Sequence, residues 1–179
     1  MPVWITEAGY DISTMPSSTV TDTTPDFPQT PELYAGYNFN LPRGQNIGNA
    51  GGLKAGTTAT YTLPIDIDED TIYLSGKWIS NEQSLEAAED NAKIVLNYRS
   101  TAVNIVIETA DGSQNVQVTL DGKAVTDAFD GRDVQLKDGT SVLTVVEPRL
   151  YNAIFGEYGR HTVEFTVPKG FSFYAFTFG

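Results

Sequence analysis

From Thr57 to the C-terminus, apolar residues recur at every second position in short runs: TATYTL, TIYLSGKWIS, AKIVLNY, AVNIVIE, VQVTL, SVLTVV, RLYNAIF, HTVEFTV and FSFYAFTF. A period of two puts alternate side chains on the same face of a pleated strand, so each run reads as a strand with one buried face. Val103, Ile105 and Ile107 share such a face, as do Val116, Val118 and Leu120, and Val163, Phe165 and Val167. Asp111-Gly112, Asp121-Gly122 and Asp138-Gly139 lie between runs, and Asp-Gly supplies the positive φ angles of tight hairpin turns; three hairpins are predicted. The last run, FSFYAFTFG, is aromatic at both parities, which predicts a central strand buried on both sides. Short strands at close spacing, with no helices alternating between them, predict an all-β antiparallel two-sheet sandwich of the jelly-roll kind, with about nine to ten strands.

Two stretches depart from this pattern. NEQSLEAAEDNA, from Asn81 to Ala92, is rich in helix formers but offers only Leu85 and a few alanines as an apolar face. It is allowed one helical turn, with residues 82–87 extended. From Ile12 to Pro31 the chain is dominated by Ser, Thr and Pro, which cannot bury enough apolar surface to offset the entropy of ordering. Residues 1–30 are therefore read as a linker or tail, and residues 31–179 as the sandwich domain, with its core in 57–179. Between them ELYAGYNFN gathers Tyr34, Tyr37 and Phe39, which are expected to dock on the body.

Composition agrees with a single globular domain plus a tail. Of 179 residues, 40% are apolar and 11% aromatic, enough to build one core. The net charge of −12, with 11 basic residues scattered singly, excludes a nucleic-acid partner and disfavours anionic lipid. Glu7, Asp11, Asp22 and Asp26 precede the first basic residue, Arg43, so the body carries about −8 of that charge. No run is long enough to span a membrane as a helix, so no direct membrane insertion is expected, and MPVWITEAGY lacks the regions of a signal peptide. The sequence has no cysteine, which excludes disulfides, thiolate metal sites and thiol redox chemistry by these residues.

Several short motifs occur in one order: TPELYAGY, GGL, LSGKW, IVLNYRSTAVNIVIE, VTLDG, PRLYNAI, HTVEF and YAFTFG. Together, over Thr30 to Gly179, they resemble the C-terminal module of DipZ-type proteins and related redoxin-family chains of bacteria. In that family a thioredoxin-like domain is followed by a jelly roll similar to carbohydrate-binding modules. The resemblance implies a non-catalytic accessory domain of a thiol-disulfide oxidoreductase of cytochrome c biogenesis. Its partner would be an N-terminal thioredoxin-like domain or another redox protein, with the Cys-x-x-Cys pair carried there. It also implies a periplasmic or cell-surface location.

The chemistry open to the residues themselves is limited. The sole histidine, His161, opens a strand and is read as structural; with one histidine and no cysteine, zinc lacks a ligand set. No Gly-x-Ser-x-Gly elbow presents a nucleophile. Asp66, Asp68 and Asp70 alternate like the start of a calcium loop, but Thr71 stands where the turn glycine belongs and Lys77 where the bidentate glutamate belongs. A solvated acidic turn is the better reading; a structural calcium there is the one cofactor left open. Glycan binding needs exposed rings flanked by planar polar groups. Trp78, Tyr73, Tyr98, Tyr151 and Tyr158 are the candidates, with Tyr158 placed at a loop tip in GEYGR, against the alternative that most rings fill the core. Arg149 reads either as a ligand group or as an ion-pair partner of Glu147 or Glu164.

Three functions compete on this basis: an accessory module that binds a glycan or a protein surface, a module that packs on a redox domain through the Tyr34 to Phe39 segment, and a hydrolase. The hydrolase needs convergent carboxylates or an activated serine, which the spacing does not supply.

Overall fold

The computed structural model describes residues 27–110 and 112–179. Of the linker expected over residues 1–30, residues 1–26 lie outside the described residues, and Phe27 to Thr30 are docked on the body. Thr30 donates its N–H to the Arg99 carbonyl and its hydroxyl to Asp70 Oδ1, and accepts the Arg99 N–H.

The described residues form an all-β antiparallel sandwich of eleven strands: β1 (Leu33–Tyr34), β2 (Thr58–Tyr61), β3 (Ile72–Ser80), β4 (Leu85–Ala87), β5 (Ala92–Thr109), β6 (Gln114–Leu120), β7 (Lys123–Ala124), β8 (Val134–Lys137), β9 (Thr140–Val145), β10 (Arg149–Val167) and β11 (Phe171–Phe178). A single helical turn, α1 (Tyr37–Asn40), runs into a 3-10 turn over Leu41–Arg43. Residues 81–92 hold no helix; Leu85–Ala87 are strand, and Glu82 to Ser84 bend into it.

Two long strands build both layers. The first half of β5 lies between β3 and the second half of β10, and its second half lies between β11 and the first half of β10. The inward face of β5 accordingly changes parity, from Ile94, Leu96 and Tyr98 to Val103, Ile105 and Ile107, all at most 1% exposed. A strand with period two can switch parity only by a bulge or bend. β10 shows two register shifts against β5, at Asn152/Ile154 and Phe155/Gly159, the second opposite Ser100 to Ala102. Across the interior, Phe165 of β10 meets Phe176 of β11 at 5.6 Å between ring centroids, although the two strands are not paired. β4 pairs with both β3 and β11 and so ties the layers along one edge.

The hairpins divide by strand order. Asp121 and Gly122, at φ 51° and 75°, join β6 to β7 through a two-residue turn, and Asp138 and Gly139, at 50° and 77°, join β8 to β9 in the same way. Asp111 lies outside the described residues, but the strands on either side of it, β5 and β6, are not partners, so the third predicted hairpin is instead a crossover. The last strand, β11, is central in its pairing, between β5 on one side and β4 and β1 on the other. It is not buried on both faces: Phe171, Phe173 and Phe176 are sealed, while Tyr174, Thr177 and Phe178 are half-buried.

Candidate functional site

The rings singled out for ligand stacking are mostly inside. Trp78 on β3 is 1% exposed, and its indole N–H donates to the Ser75 carbonyl at 2.9 Å. Tyr73, also on β3, is buried beneath Gly48, where a Cβ would stand 2.1 Å from Tyr73 Cζ; its hydroxyl donates to Asp68 Oδ2. Tyr98 is sealed within β5, and burial pushes its hydroxyl far above the ordinary tyrosine value. Tyr151 on β10 is fully buried; its hydroxyl donates to the Glu147 carbonyl and accepts the N–H groups of Val146 and Glu147. None of these four presents a free ring face. The reason is the alternation itself: each occupies the inward parity of its strand or lies beneath a covering loop.

Tyr158 is not at a loop tip. It belongs to β10, within the register shift between Phe155 and Gly159. Its ring stacks on Phe27 at 4.9 Å and 26°, and its hydroxyl donates to the Pro28 carbonyl, so one face is covered by the incoming chain.

Arg149 starts β10 and lies over the Tyr151 ring, its guanidinium carbon 3.6 Å from the centroid. Its main partner is Asp133 Oδ1 at 2.7 Å, with Glu147 looser at 3.7 Å; Glu164 pairs with Lys93. Asp133 was not legible from sequence spacing because it stands sixteen residues upstream. Its second oxygen accepts the Asn152 N–H. Burial alone would raise the Asp133 carboxyl, but the Arg149 hydrogen bond, the Asn152 N–H and the charges of Arg149 and Arg132 outweigh it and hold the group below the usual carboxylate value. The cluster locks the start of β10.

The acidic turn does not gather its carboxylates. Asp68 is engaged by Tyr73, Asp70 accepts the Thr30 hydroxyl from a left-handed backbone position (φ 59°), and no bond joins either to Asp66. Among the described residues, no group of three or more His, Asp or Glu side chains is placed to hold a metal ion. Asp68 and Asp70 thus have separate partners, Tyr73 and Thr30, and do not converge on one point with Asp66. Between them Glu69 is gripped by Arg99 at 3.1 Å and Arg160 at 2.6 Å. His161 pairs with Asp121 at 2.8 Å, at the β6–β7 turn.

What the alternation did not reveal is a cleft of about 310 Å³ on the outer side of β5 and β10, lined by Asn104, Arg132, Leu150, Asn152 and Phe155. Phe155 is 62% exposed and Leu150 46%. Asn152 is held rigidly: its amide donates to Asn104 Oδ1 and the Ile154 carbonyl and accepts the Arg132 N–H. Phe155 faces outward because the shift at Asn152/Ile154 puts Ala153 and Ile154 both inside.

With this geometry in hand, a family model described as a thioredoxin-like C-terminal domain matches residues 30–179. The chain belongs to this family. The matched region begins at Thr30, where the chain is first pinned to β5, and takes in every strand, both sides of the Arg149 cluster and the Phe155 cleft. Membership makes the chain an accessory domain of a thioredoxin-like protein, for which an N-terminal thioredoxin-like domain is the natural partner. A search of curated proteins finds no match. No helix among the described residues is long and apolar enough to cross a membrane.

Proposed function

We propose that this domain is the non-catalytic accessory part of a thiol-disulfide oxidoreductase of the DipZ type, acting outside the cytoplasm, and that it works by holding the redox domain or its protein partner through surface contact. The observation that carries this reading is the family match over residues 30–179 in a chain without cysteine. Thiol exchange needs a thiolate nucleophile, so the electron-carrying dithiol belongs to the partner. Protein contact is favoured because the domain hides Trp78, Tyr73 and Tyr151 while exposing Leu150 and Phe155 side by side.

The test compares thiol-disulfide turnover by this chain, by the two-domain protein and by the thioredoxin-like domain alone. The expected result is no turnover by this chain. Loss of residues 30–179 should leave reduction of a small disulfide intact but slow reduction of a protein disulfide. Turnover by the cysteine-free chain would overturn the proposal.

A glycan reading has one observation in its favour: the Phe155 ring is exposed beside the planar groups of Asn104, Asn152 and Arg132. It moves the ligand surface away from Trp78, Tyr73, Tyr151 and Arg149. Affinity electrophoresis in polysaccharide gels, with Phe155→Ala as the control, tests it; equal mobility of both proteins in every gel rejects it.

A further inference from the structure

Most polar groups of the Phe155 cleft are spent on one another. Both Nδ2 hydrogens of Asn152 are in use, on Asn104 Oδ1 and the Ile154 carbonyl, and its Oδ1 takes the Arg132 N–H. Asn104 in turn accepts that Asn152 bond and donates from Nδ2 to Thr177 Oγ1 at 3.3 Å. These bonds fix which way the two amides face, because turning either over would set donor against donor. The donors left in the cleft are the Arg132 guanidinium and one N–H of Asn104. The acceptors left are second lone pairs on amide oxygens that already hold a bond. A sugar hydroxyl both gives and takes a hydrogen bond, whereas an anion needs donors alone, so this balance favours an anion.

Arg132 also stands apart from the other four arginines. Arg43 bonds the Phe39 carbonyl and lies over the Tyr34 ring, Arg99 and Arg160 hold Glu69, and Arg149 holds Asp133. Among the described residues the Arg132 guanidinium has no ion pair, hydrogen bond or ring partner, and it is exposed on a chain of net charge −12. It is the one charged residue lining the cleft. The acids nearest to it along the chain do not line the cleft: Asp133 has both oxygens taken, by Arg149 and the Asn152 N–H, Glu147 lies toward Arg149, and Asp130 and Glu157 sit elsewhere. Beside this unpaired cation are Phe155, 62% exposed, and Leu150, 46% exposed. An exposed apolar pair with a single unmatched charge is complementary to an apolar group that carries the opposite charge.

We propose that the Phe155 cleft takes an acidic peptide segment of the partner protein, with a carboxylate on the Arg132 guanidinium and an adjoining apolar side chain against Phe155 and Leu150. This rests on the protein-contact reading of the same cleft and adds what the partner must carry. A guanidinium offers a carboxylate two parallel hydrogen bonds, which fixes the direction of the segment as well as its charge. Because Arg132 is exposed, the pair selects the partner more than it adds affinity, and the apolar contact supplies the rest.

The experiment is an amide-resolved NMR titration of the full chain, at neutral pH and low salt, with the peptide acetyl-Gly-Leu-Asp-Gly-amide. Its Leu-Asn and Leu-Lys counterparts test the charge, and maltohexaose and 3-phenylpropanoate serve as sugar and small-carboxylate probes. The Leu-Asp peptide should give saturable shifts confined to residues around Asn104, Arg132 and Leu150 to Phe155. It should bind about three- to fivefold more tightly than the Leu-Asn peptide, the size expected of an exposed ion pair, and the difference should fade as salt is added. Arg132→Gln should abolish that preference and leave Leu-Asn binding unchanged, Arg132→Lys should keep part of it, and Phe155→Ala should weaken both peptides. Both side chains are exposed, so the variants should retain the dispersed spectrum of the parent. The assignment is overturned by an absence of saturable shifts with the Leu-Asp peptide, by equal binding of Leu-Asp and Leu-Asn, or by a preference for Leu-Lys. It is equally overturned by a preference that survives Arg132→Gln, or by binding of maltohexaose or 3-phenylpropanoate without binding of any peptide. The two readings fail separately: loss of the peptide preference leaves the accessory role to the disulfide-turnover comparison, and turnover by the cysteine-free chain leaves the peptide titration as it stands.

Discussion

Replacing Trp78 distinguishes a core side chain from a ligand platform. The indole is 1% exposed, and its N–H is satisfied by the Ser75 carbonyl at 2.9 Å. Trp78→Ala deletes the whole ring from a sealed site, which costs about 3–5 kcal/mol where the surroundings relax only in part. A domain of this size holds a total of about 5–15 kcal/mol, so the variant should sit near the edge of folding. Trp78→Phe keeps most of the apolar contact and gives up one hydrogen bond, a loss of about 0.5–1.5 kcal/mol for the bond itself. Urea unfolding followed by far-UV circular dichroism measures both as shifts of midpoint at constant slope. A platform residue on the surface would behave differently, with stability changed by about 0.5 kcal/mol or less. A Trp78→Ala protein whose stability drops by less than about 1 kcal/mol, with the slope unchanged, would refute the core assignment, since no sealed indole is removed that cheaply.

Asp133 and Asp121 both have carboxyls held below the ordinary value of 3.8, so their contribution to stability is complete above that value and is lost as pH falls through the depressed folded values. Asp133→Asn should therefore lower stability at neutral pH and flatten the acid limb of a stability-versus-pH curve; an unchanged acid limb would contradict the Arg149 pairing. At the alkaline end, burial and the bond from its hydroxyl to Glu108 Oε2 push Tyr174 up to about 12, and burial pushes Tyr98 higher still. Because these folded values exceed the unfolded one, the stability they lend is present below pH 10.0 and is lost as pH rises through the folded values, so a phenolate titration at 295 nm should show the two tyrosines ionising late or with unfolding. Gly36 has an ordinary φ of −70°, but a Cβ there would lie 2.2 Å from the Gln83 carbonyl carbon; Gly36→Ala should cost about 1–3 kcal/mol by forcing two backbones apart, seen as a lowered urea midpoint.

The strands were legible because most of them bury one face. Val116, Val118 and Leu120, or Val163, Phe165 and Val167, alternate with polar neighbours, and the structure seals each of them to 8% or less. The turns at Asp121 and Asp138 were legible because Asp-Gly encodes a backbone shape in two residues. The same dipeptide at Asp111 carries no information on which strand comes next to which, and β6 pairs with β10 and β9 instead of β5. The burial of Trp78, Tyr73, Tyr98 and Tyr151 was hidden for a different reason. A ring at a strand position serves a core or a platform with the same sequence, and only the layer opposite decides between them. Phe155 was invisible because the register shift that turns it outward leaves no mark in RLYNAIF.

The surfaces open to partners thus arise where the alternation breaks. An uninterrupted pair of long strands would bury one face from end to end and leave the other flat. In β10 the first shift turns Phe155 out beside Leu150 and Asn152, and the second carries Tyr158 onto Phe27, bringing the incoming chain against the corner of β5. Gln29 and Gly179 both bond to Ser100 at that corner, and Thr30 and Arg99 exchange bonds beside it. The segment entering at Phe27 and the exposed Phe155 ring thus both lie on the β5–β10 strand pair, at its two irregular places.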